Sequence, residues 1–202
     1  MIRLASLAGA TLILAGCAHL ETLDDGLTYA ERQRRLSVLA GWELSGYLVI
    51  DTGERRDRAR VDWEQRGEQL SLTVSPAPAV LGVGSFRISG DASRLVIEGR
   101  GETRVLEDPE VDLEDELKWW LPIASLKYWL LGQPDPDSAY PAAVDRGPAG
   151  TLADLTQRDW RVRYEAYQLA GGLLLPGAIT MTHGSLTLSL DRIRFELTAA
   201  AP

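Results

Sequence analysis

The sequence has a single cysteine, Cys17, among 202 residues, and this scarcity excludes a fold held together by internal disulfide bonds. Histidine is nearly as rare, with only His19 and His183. Two histidines far apart in the sequence form no metal-ligand cluster, so we expect neither a metal site nor a cofactor. The fold must therefore be stabilised by an apolar core, and a chain of this length can bury one without cross-links.

Positive charge is also in short supply. The chain has 21 Lys and Arg residues against 29 Asp and Glu, which gives a formal net charge of −8. A nucleic-acid-binding surface needs cations that pair with phosphates, so the composition argues against a nucleic-acid partner. It argues equally against strong electrostatic attraction to anionic lipid. Any membrane contact is expected to be hydrophobic.

Recognisable catalytic motifs are missing. His183 and Ser185 are close in sequence, but they lack a nucleophile elbow and an orienting carboxylate. The glycines of 82–84 lack the strand–turn–helix context of a phosphate-binding loop. The acidic residues at 114–116 are expected on the solvated flank of a helix. The sequence therefore predicts a protein that is not an enzyme.

The first 16 residues have the order of a secretory signal peptide, with Arg3 followed by an apolar run and then by two small residues. The run is too short to cross a bilayer, which takes about 20 apolar residues. Cleavage is expected before Cys17. An ordinary signal peptide followed by a chance cysteine is the alternative, although a free exposed thiol is a liability in an oxidising compartment.

The stretch Leu14-Ala15-Gly16-Cys17 also resembles the bacterial lipobox. This resemblance implies that Cys17 carries a diacylglycerol on its thiol and a further acyl chain on its new amino terminus. Residues 17–30 would then form a lipid-anchored tether. Ala18 is not the aspartate that retains many lipoproteins in the inner membrane, so we expect anchoring in the outer membrane, facing the periplasm.

Residues 31–202 are expected to form one domain, made mainly of β-strands. Apolar and polar residues alternate with a period of two from Trp42 to Ile50, and the pattern recurs at 58–64 and 70–74. Further strands are predicted at 84–90, 94–99, 102–106, 152–156, 160–165, 178–182 and 185–197. About ten amphipathic strands in succession indicate an antiparallel sheet, and a sheet of that size must curl.

Few helices are available to cover this sheet. A short helix is predicted at Glu31–Leu39, and two more within 111–131, separated near Pro122. Residues 132–150 are rich in Pro, Gly and Asp and are predicted to be an exposed connection. These elements indicate an open or closed barrel whose apolar interior is covered by helices and is either packed with side chains or hollow.

Four stretches resemble the LolB family of outer-membrane lipoprotein receptors, namely 41–50, 61–74, 119–134 and 156–181. The resemblance implies a mainly β fold with a few helices, in which an unclosed antiparallel β-barrel has a helical lid over an apolar cavity. It implies no catalytic activity. It also implies that the protein accepts acylated lipoproteins from a soluble periplasmic carrier, LolA, and inserts them into the outer membrane as a monomer.

The same resemblance suggests which residues form the cavity. The chain has six tryptophans but only two phenylalanines, and broad indole faces pack well on methylene groups. Each tryptophan could equally be an ordinary core residue. The residues that match the cavity of the family are Trp63, Trp129 and Trp160, and the further candidates are Trp42, Trp120 and Leu126.

The connection 75–85 is apolar where a hairpin loop should be polar, with Val80 and Leu81 at its tip. One interpretation is that these two side chains fold back over the end of the barrel. The other is that they enter the bilayer, since the resemblance matches Leu81 to a loop leucine that helps place cargo in the membrane. A different function also stays open, in which a non-catalytic envelope lipoprotein acts as a scaffold through an exposed sheet edge.

Overall fold

The computed structural model describes residues 23–76, 84–99 and 101–199. The predicted signal peptide, Cys17, Val80 and Leu81 lie outside these residues. The strands are β1 (Leu39–Asp51), β2 (Arg56–Arg66), β3 (Gln69–Pro76), β4 (Phe86–Asp91), β5 (Arg94–Gly99), β6 (Glu102–Leu106), β7 (Ala143–Arg146), β8 (Leu152–Gln157), β9 (Trp160–Ala170), β10 (Leu173–His183) and β11 (Leu186–Ala199). The helices are α1 (Tyr29–Ser37), α2 (Pro109–Leu117) and α3 (Ile123–Trp129), with one 3₁₀ turn at Pro148–Gly150.

All the strands belong to one antiparallel sheet with the order β6-β5-β4-β3-β2-β1-β11-β10-β9-β8-β7. Strand β1 therefore lies at the centre of the sheet, and strands β2 to β6 follow one another from it to one edge. The chain then crosses to the other edge at β7 and returns strand by strand to β11, which pairs with β1. The edge strands β6 and β7 do not pair with each other in the described part of the chain, so the barrel is unclosed. The predicted fold class is confirmed, with eleven strands in place of about ten.

The alternation of buried and exposed residues along β1 shows which face of the sheet is turned toward the core. Trp42 and Leu44 are buried, whereas Glu43 and Tyr47 are exposed on the opposite face. The register between β1 and β11 shifts between Ser45 and Tyr47. Such an irregularity bends a strand and increases its twist, which helps a large sheet to curl around its apolar face.

The helices begin and end at residues that suit those positions. Thr28 and Glu31 form a capping box at the start of α1. Helix α2 starts with Pro109 and ends at Leu117, and its C-cap residue Lys118 has a left-handed φ of 67°. Pro122 then precedes α3, so the predicted break between two short helices is confirmed. Within the described residues, none of the helices is both long and apolar enough to cross a membrane.

Two parts of the chain differ from the sequence predictions. Residues 132–150 are not simply an exposed connection, because Gln133 and Asp135 are buried and 143–146 form strand β7. The buried part is possible because the Gln157 side chain bonds both the N–H and the C=O of Asp135. Folded contacts also begin before the predicted domain boundary at residue 31, since the side chain of Asp25 is fully buried.

Candidate apolar cavity

An apolar cavity of about 100 Å³ lies between the concave face of the sheet and the helices that follow β6. Its wall combines both halves of the sheet with residues from α2 and α3 and from the segment that joins them. Every described lining residue is apolar. The lining residues from the sheet are Leu44, Leu48, Ile50, Val61, Trp63, Leu72, Val74, Phe86, Ile88, Met181, Leu188 and Leu190, and those from the lid are Leu117, Trp119, Leu121, Leu126 and Leu130.

The cavity reaches solvent on one side. Six of its lining residues are only half-buried, and they are Leu48, Ile50, Leu72, Phe86, Leu117 and Trp119. Large apolar side chains that stay partly exposed at a concave surface are typical of a binding site for an apolar ligand. We call this set the mouth of the cavity.

Trp63 is the only tryptophan of the predicted cavity set that lines the cavity among the described residues. Its indole Nε1 donates to Oε1 of Gln65 at 3.0 Å, and the Gln65 amide in turn donates to the carbonyl of Gly67 at 2.7 Å. Trp42 stacks on Trp63 with ring centroids 6.0 Å apart and an interplanar angle of 21°. Trp42 therefore supports the wall from behind, while the polar edge of Trp63 is satisfied away from the cavity.

Trp129 and Trp160 lie in the packed core beside the cavity and are absent from its described wall, although both were predicted to line it. Both side chains are 0% exposed. Nε1 of Trp129 donates to Oε1 of Gln157 at 3.0 Å, and its carbonyl accepts from the hydroxyl of Tyr164 at 3.0 Å. Burial raises the pKa of Tyr164 well above its ordinary value, so this hydroxyl remains a hydrogen-bond donor. These bonds fix the end of α3 against β8 and β9.

Trp120 belongs to an aromatic cluster next to the cavity and not to its wall. Its ring centroid lies 6.5 Å from that of Trp160 and 5.4 Å from that of His183. His183 stacks on Trp160 at 5.3 Å, and the guanidinium of Arg158 lies 4.9 Å from the Trp120 ring. Leu126, by contrast, lines the cavity from α3. The roles of all these residues in binding remain predictions.

Helix α2 is held to the sheet by two ion pairs. Arg158, in the turn between β8 and β9, donates through both terminal nitrogens to the carboxylate of Glu110, at 2.8 and 2.6 Å. Glu110 raises the pKa of this guanidinium further. At the other end of the helix, Arg104 of β6 pairs with Glu116. Leu113, between the two pairs, is fully buried.

The described part of the chain shows no grouping of three His, Cys, Asp or Glu side chains that could hold a metal ion. No charged side chain is among the described residues that line the cavity. A pocket with such a lining offers dispersion contacts and burial to an apolar ligand.

Two buried glutamines that organise the site were not predicted. Gln65 orients Trp63, and Gln157 bonds Trp129, Asp135 and the carbonyl of Tyr140. A sequence signal did exist, because Gln65 continues the inward series of Val61 and Trp63 at a spacing of two. A polar residue at an inward position needs an internal partner, and that requirement could have marked both glutamines.

Comparison with known proteins finds that the sequence model of one family, described as outer membrane lipoprotein LolB, matches residues 40–198. The chain is 33% identical over 187 residues to the outer-membrane lipoprotein LolB of Stutzerimonas stutzeri (strain A1501), covering 89% of this chain and 88% of that protein. It is 32% identical over 195 residues to LolB of Nitrosococcus oceani, with coverages of 93% and 94%. With LolB of Aeromonas hydrophila subsp. hydrophila it shares 28% identity over 199 residues, covering 98% of each.

These matches confirm the resemblance that the four sequence stretches indicated. The family model spans well over half of the chain, and two relatives above 30% identity align over most of their own length. The chain belongs to the outer-membrane lipoprotein LolB family.

Proposed function

We propose that this protein is a lipoprotein receptor of the outer membrane. It takes the acyl chains of lipoproteins from a LolA-like periplasmic carrier into its apolar cavity and releases them into the inner leaflet of that membrane. The observation that carries this proposal is the wall of seventeen apolar residues beneath a helical lid in a chain of the LolB family. The relatives are themselves named outer-membrane lipoproteins, which supports the location.

Such a receptor is needed because exposing acyl chains to water costs free energy. Each methylene group exposed to water costs about 0.8 kcal/mol, so one long chain costs on the order of 10 kcal/mol. A lipoprotein with several chains therefore cannot cross an aqueous compartment unaided. A cavity that receives the chains directly from another cavity avoids the aqueous step, and it does so by binding, without catalysis.

Cargo binding requires the cavity to expand. A pocket for a drug-sized ligand has a volume of about 300–1,000 Å³, and the present volume of about 100 Å³ is far smaller. Helix α3 is fixed by the buried bonds of Trp129, whereas α2 is held by partly exposed ion pairs. The moving part is therefore α2 together with Trp119, which would swing away from the mouth.

The remaining parts of the proposal concern residues outside those described. The signal peptide 1–16 is removed and Cys17 receives the acyl groups, so Cys17→Ala should yield a periplasmic protein that washes off membranes. Retention of that variant on carbonate-washed membranes would contradict the anchor. Val80 and Leu81 enter the bilayer during release. Leu81→Glu should then slow release into liposomes with no change in melting temperature, and unchanged release would contradict insertion.

The receptor proposal is tested by native mass spectrometry. The protein is incubated with a LolA-like carrier loaded with an acylated lipoprotein, and in parallel with the same lipoprotein lacking its acyl chains. We expect the acylated cargo alone to appear on the receptor. Equal capture of both forms would favour the scaffold alternative, in which a partner pairs with the exposed edge of β6 or β7. No capture would contradict the receptor function.

A further inference from the structure

The side chains of Asp25 and Arg32 form an ion pair that is buried where the chain enters the folded domain. Their exposed fractions are 0% and 5%. Both oxygens of Asp25 accept from the guanidinium, each at 2.7 Å. The carboxylate also accepts from the backbone N–H groups of Leu27 at 3.1 Å and Leu174 at 2.8 Å. With Arg32 as the largest cause, these bonds lower the pKa of Asp25 to about 2, so the pair stays charged at any physiological pH.

The pair joins four parts of the chain, namely the entering segment, α1, the start of β10 and the turn before β8. Asp25 lies in the entering segment and bonds the start of β10 through Leu174. Arg32 lies on α1 and donates to the carbonyl of Ala149 at 2.9 Å and to that of Gly150 at 3.2 Å, in the turn before β8. A buried ion pair is seldom the cheapest way to stabilise a fold, and its best-attested use is to fix one register of neighbouring elements. Here it fixes the place at which the entering segment joins the folded domain.

That point determines how far the domain can move from a lipid on Cys17. Eight residue steps separate Cys17 from Asp25, and a fully extended chain covers about 29 Å in eight steps. If the pair opened and α1 detached, the first fixed residue would be Leu39, the start of β1. A detached nine-residue helix is not stable by itself, so the free chain would then be 22 steps long, with a reach of about 79 Å.

The geometry points to a second role for these residues: Asp25 and Arg32 form a tether clamp that keeps the cavity close to the membrane into which cargo is released. This inference rests on the proposed lipid anchor at Cys17. Effective concentration falls at least as the −3/2 power of tether length, so lengthening the free tether from eight to 22 steps lowers the local concentration of the cavity at the bilayer roughly four- to five-fold. Release should slow to a similar extent.

The test measures the distance between the domain and the bilayer. The acylated full-length protein carries a fluorophore on Ser185→Cys, an exposed turn position, and is bound to vesicles that contain an acceptor lipid dye. We expect lower energy transfer and four- to five-fold slower release for Asp25→Asn and Arg32→Gln than for the unaltered clamp. Arg35→Gln, an exposed change on the same helix, should alter neither.

A lengthened tether calibrates the result. Inserting fourteen Gly and Ser residues after Ala18 gives 22 free steps without touching the clamp, and the clamp variants should resemble this insertion. Energy transfer that falls for the insertion but stays unchanged in both clamp variants would overturn the inference. Rapid hydrogen exchange of the Leu174 amide in the unaltered protein would overturn it as well. A wrong assignment of the lipid anchor at Cys17 would give a different result, because neither the unaltered protein nor any variant would then bind vesicles.

Discussion

At the scale of single residues, the tryptophans differ in what surrounds them and not in which way their strands face. Trp63 and Trp160 both lie at inward positions of long strands. Trp63 has the cavity on one side and Trp42 on the other, whereas Trp160 is enclosed by Trp120, Trp129 and His183. The period of two predicts that both side chains point inward. It does not predict the empty space beside one of them, because that space depends on where the lid packs.

A charge at the mouth should prevent binding of an apolar chain. Leu72 is half-buried and lines the cavity, so Leu72→Glu would place a carboxylate against the ligand, and burying that charge unpaired costs several kcal/mol. We expect binding of a fluorescent fatty acid to weaken at least tenfold, with little change in the free energy of unfolding. Thr73→Glu, on the opposite face of the same strand, is the matched control and should bind normally. Equal loss in the two variants would place the ligand elsewhere.

Trp129 should behave as a core residue. Trp129→Phe removes the donor to Oε1 of Gln157 and leaves a small gap in the packing. We expect the free energy of unfolding in urea to fall by about 1–3 kcal/mol, while fatty-acid binding per folded molecule stays the same. Weaker binding at unchanged stability would instead assign Trp129 to the binding surface.

At the scale of elements, the two lid helices are attached in different ways. Helix α3 buries Ile123, Leu126 and Trp129 and is bonded to the sheet through Gln157. Helix α2 buries Leu113 but has acidic side chains over most of its surface, and two of those form its ion pairs with Arg158 and Arg104. From this difference we expect α3 to be the fixed part of the lid and α2 to be the part that moves.

Weakening the attachment of α2 should ease entry to the cavity. Glu110→Gln removes the charge that Arg158 pairs with, at a stability cost of about 1.5–3 kcal/mol, because the two side chains are only 26% and 17% exposed. We expect fatty-acid binding to become several-fold faster in stopped-flow measurements. Glu114→Gln, an exposed change on the same helix, should leave the rate unaltered. An unchanged rate in Glu110→Gln would show that α2 does not limit access.

The elements themselves were largely predictable from local pattern. The period-two strands and the helix break at Pro122 follow from side-chain spacing and proline geometry, which act within a few residues. Strand β7 was missed because its four residues are all exposed and carry no apolar alternation. It pairs with β8, and its place depends on the buried turn held by Gln157, a contact between residues about twenty positions apart.

At the scale of the whole molecule, the open sheet gives both a cavity and an entrance. A closed barrel of eleven strands would hide its apolar interior, whereas here β6 and β7 remain apart and helices occupy the space over the concave face. The lid can therefore move without breaking any strand pairing. The tether clamp lies outside this moving part, so a change in α2 need not alter how the domain is held at its entering segment.

The central claim is that acyl chains of cargo occupy the cavity under the lid, and site-specific photo-crosslinking tests it most directly. A photoreactive phenylalanine analogue replaces either Leu126, on the cavity wall, or Thr73, on the outer face. The protein then receives cargo from a LolA-like carrier, with the acyl chains of that cargo isotopically labelled. We expect mass spectrometry to find adducts on labelled acyl carbons from position 126 and none from position 73. Adducts from position 73 alone, or efficient acceptance of cargo with no acyl adduct at position 126, would contradict the account.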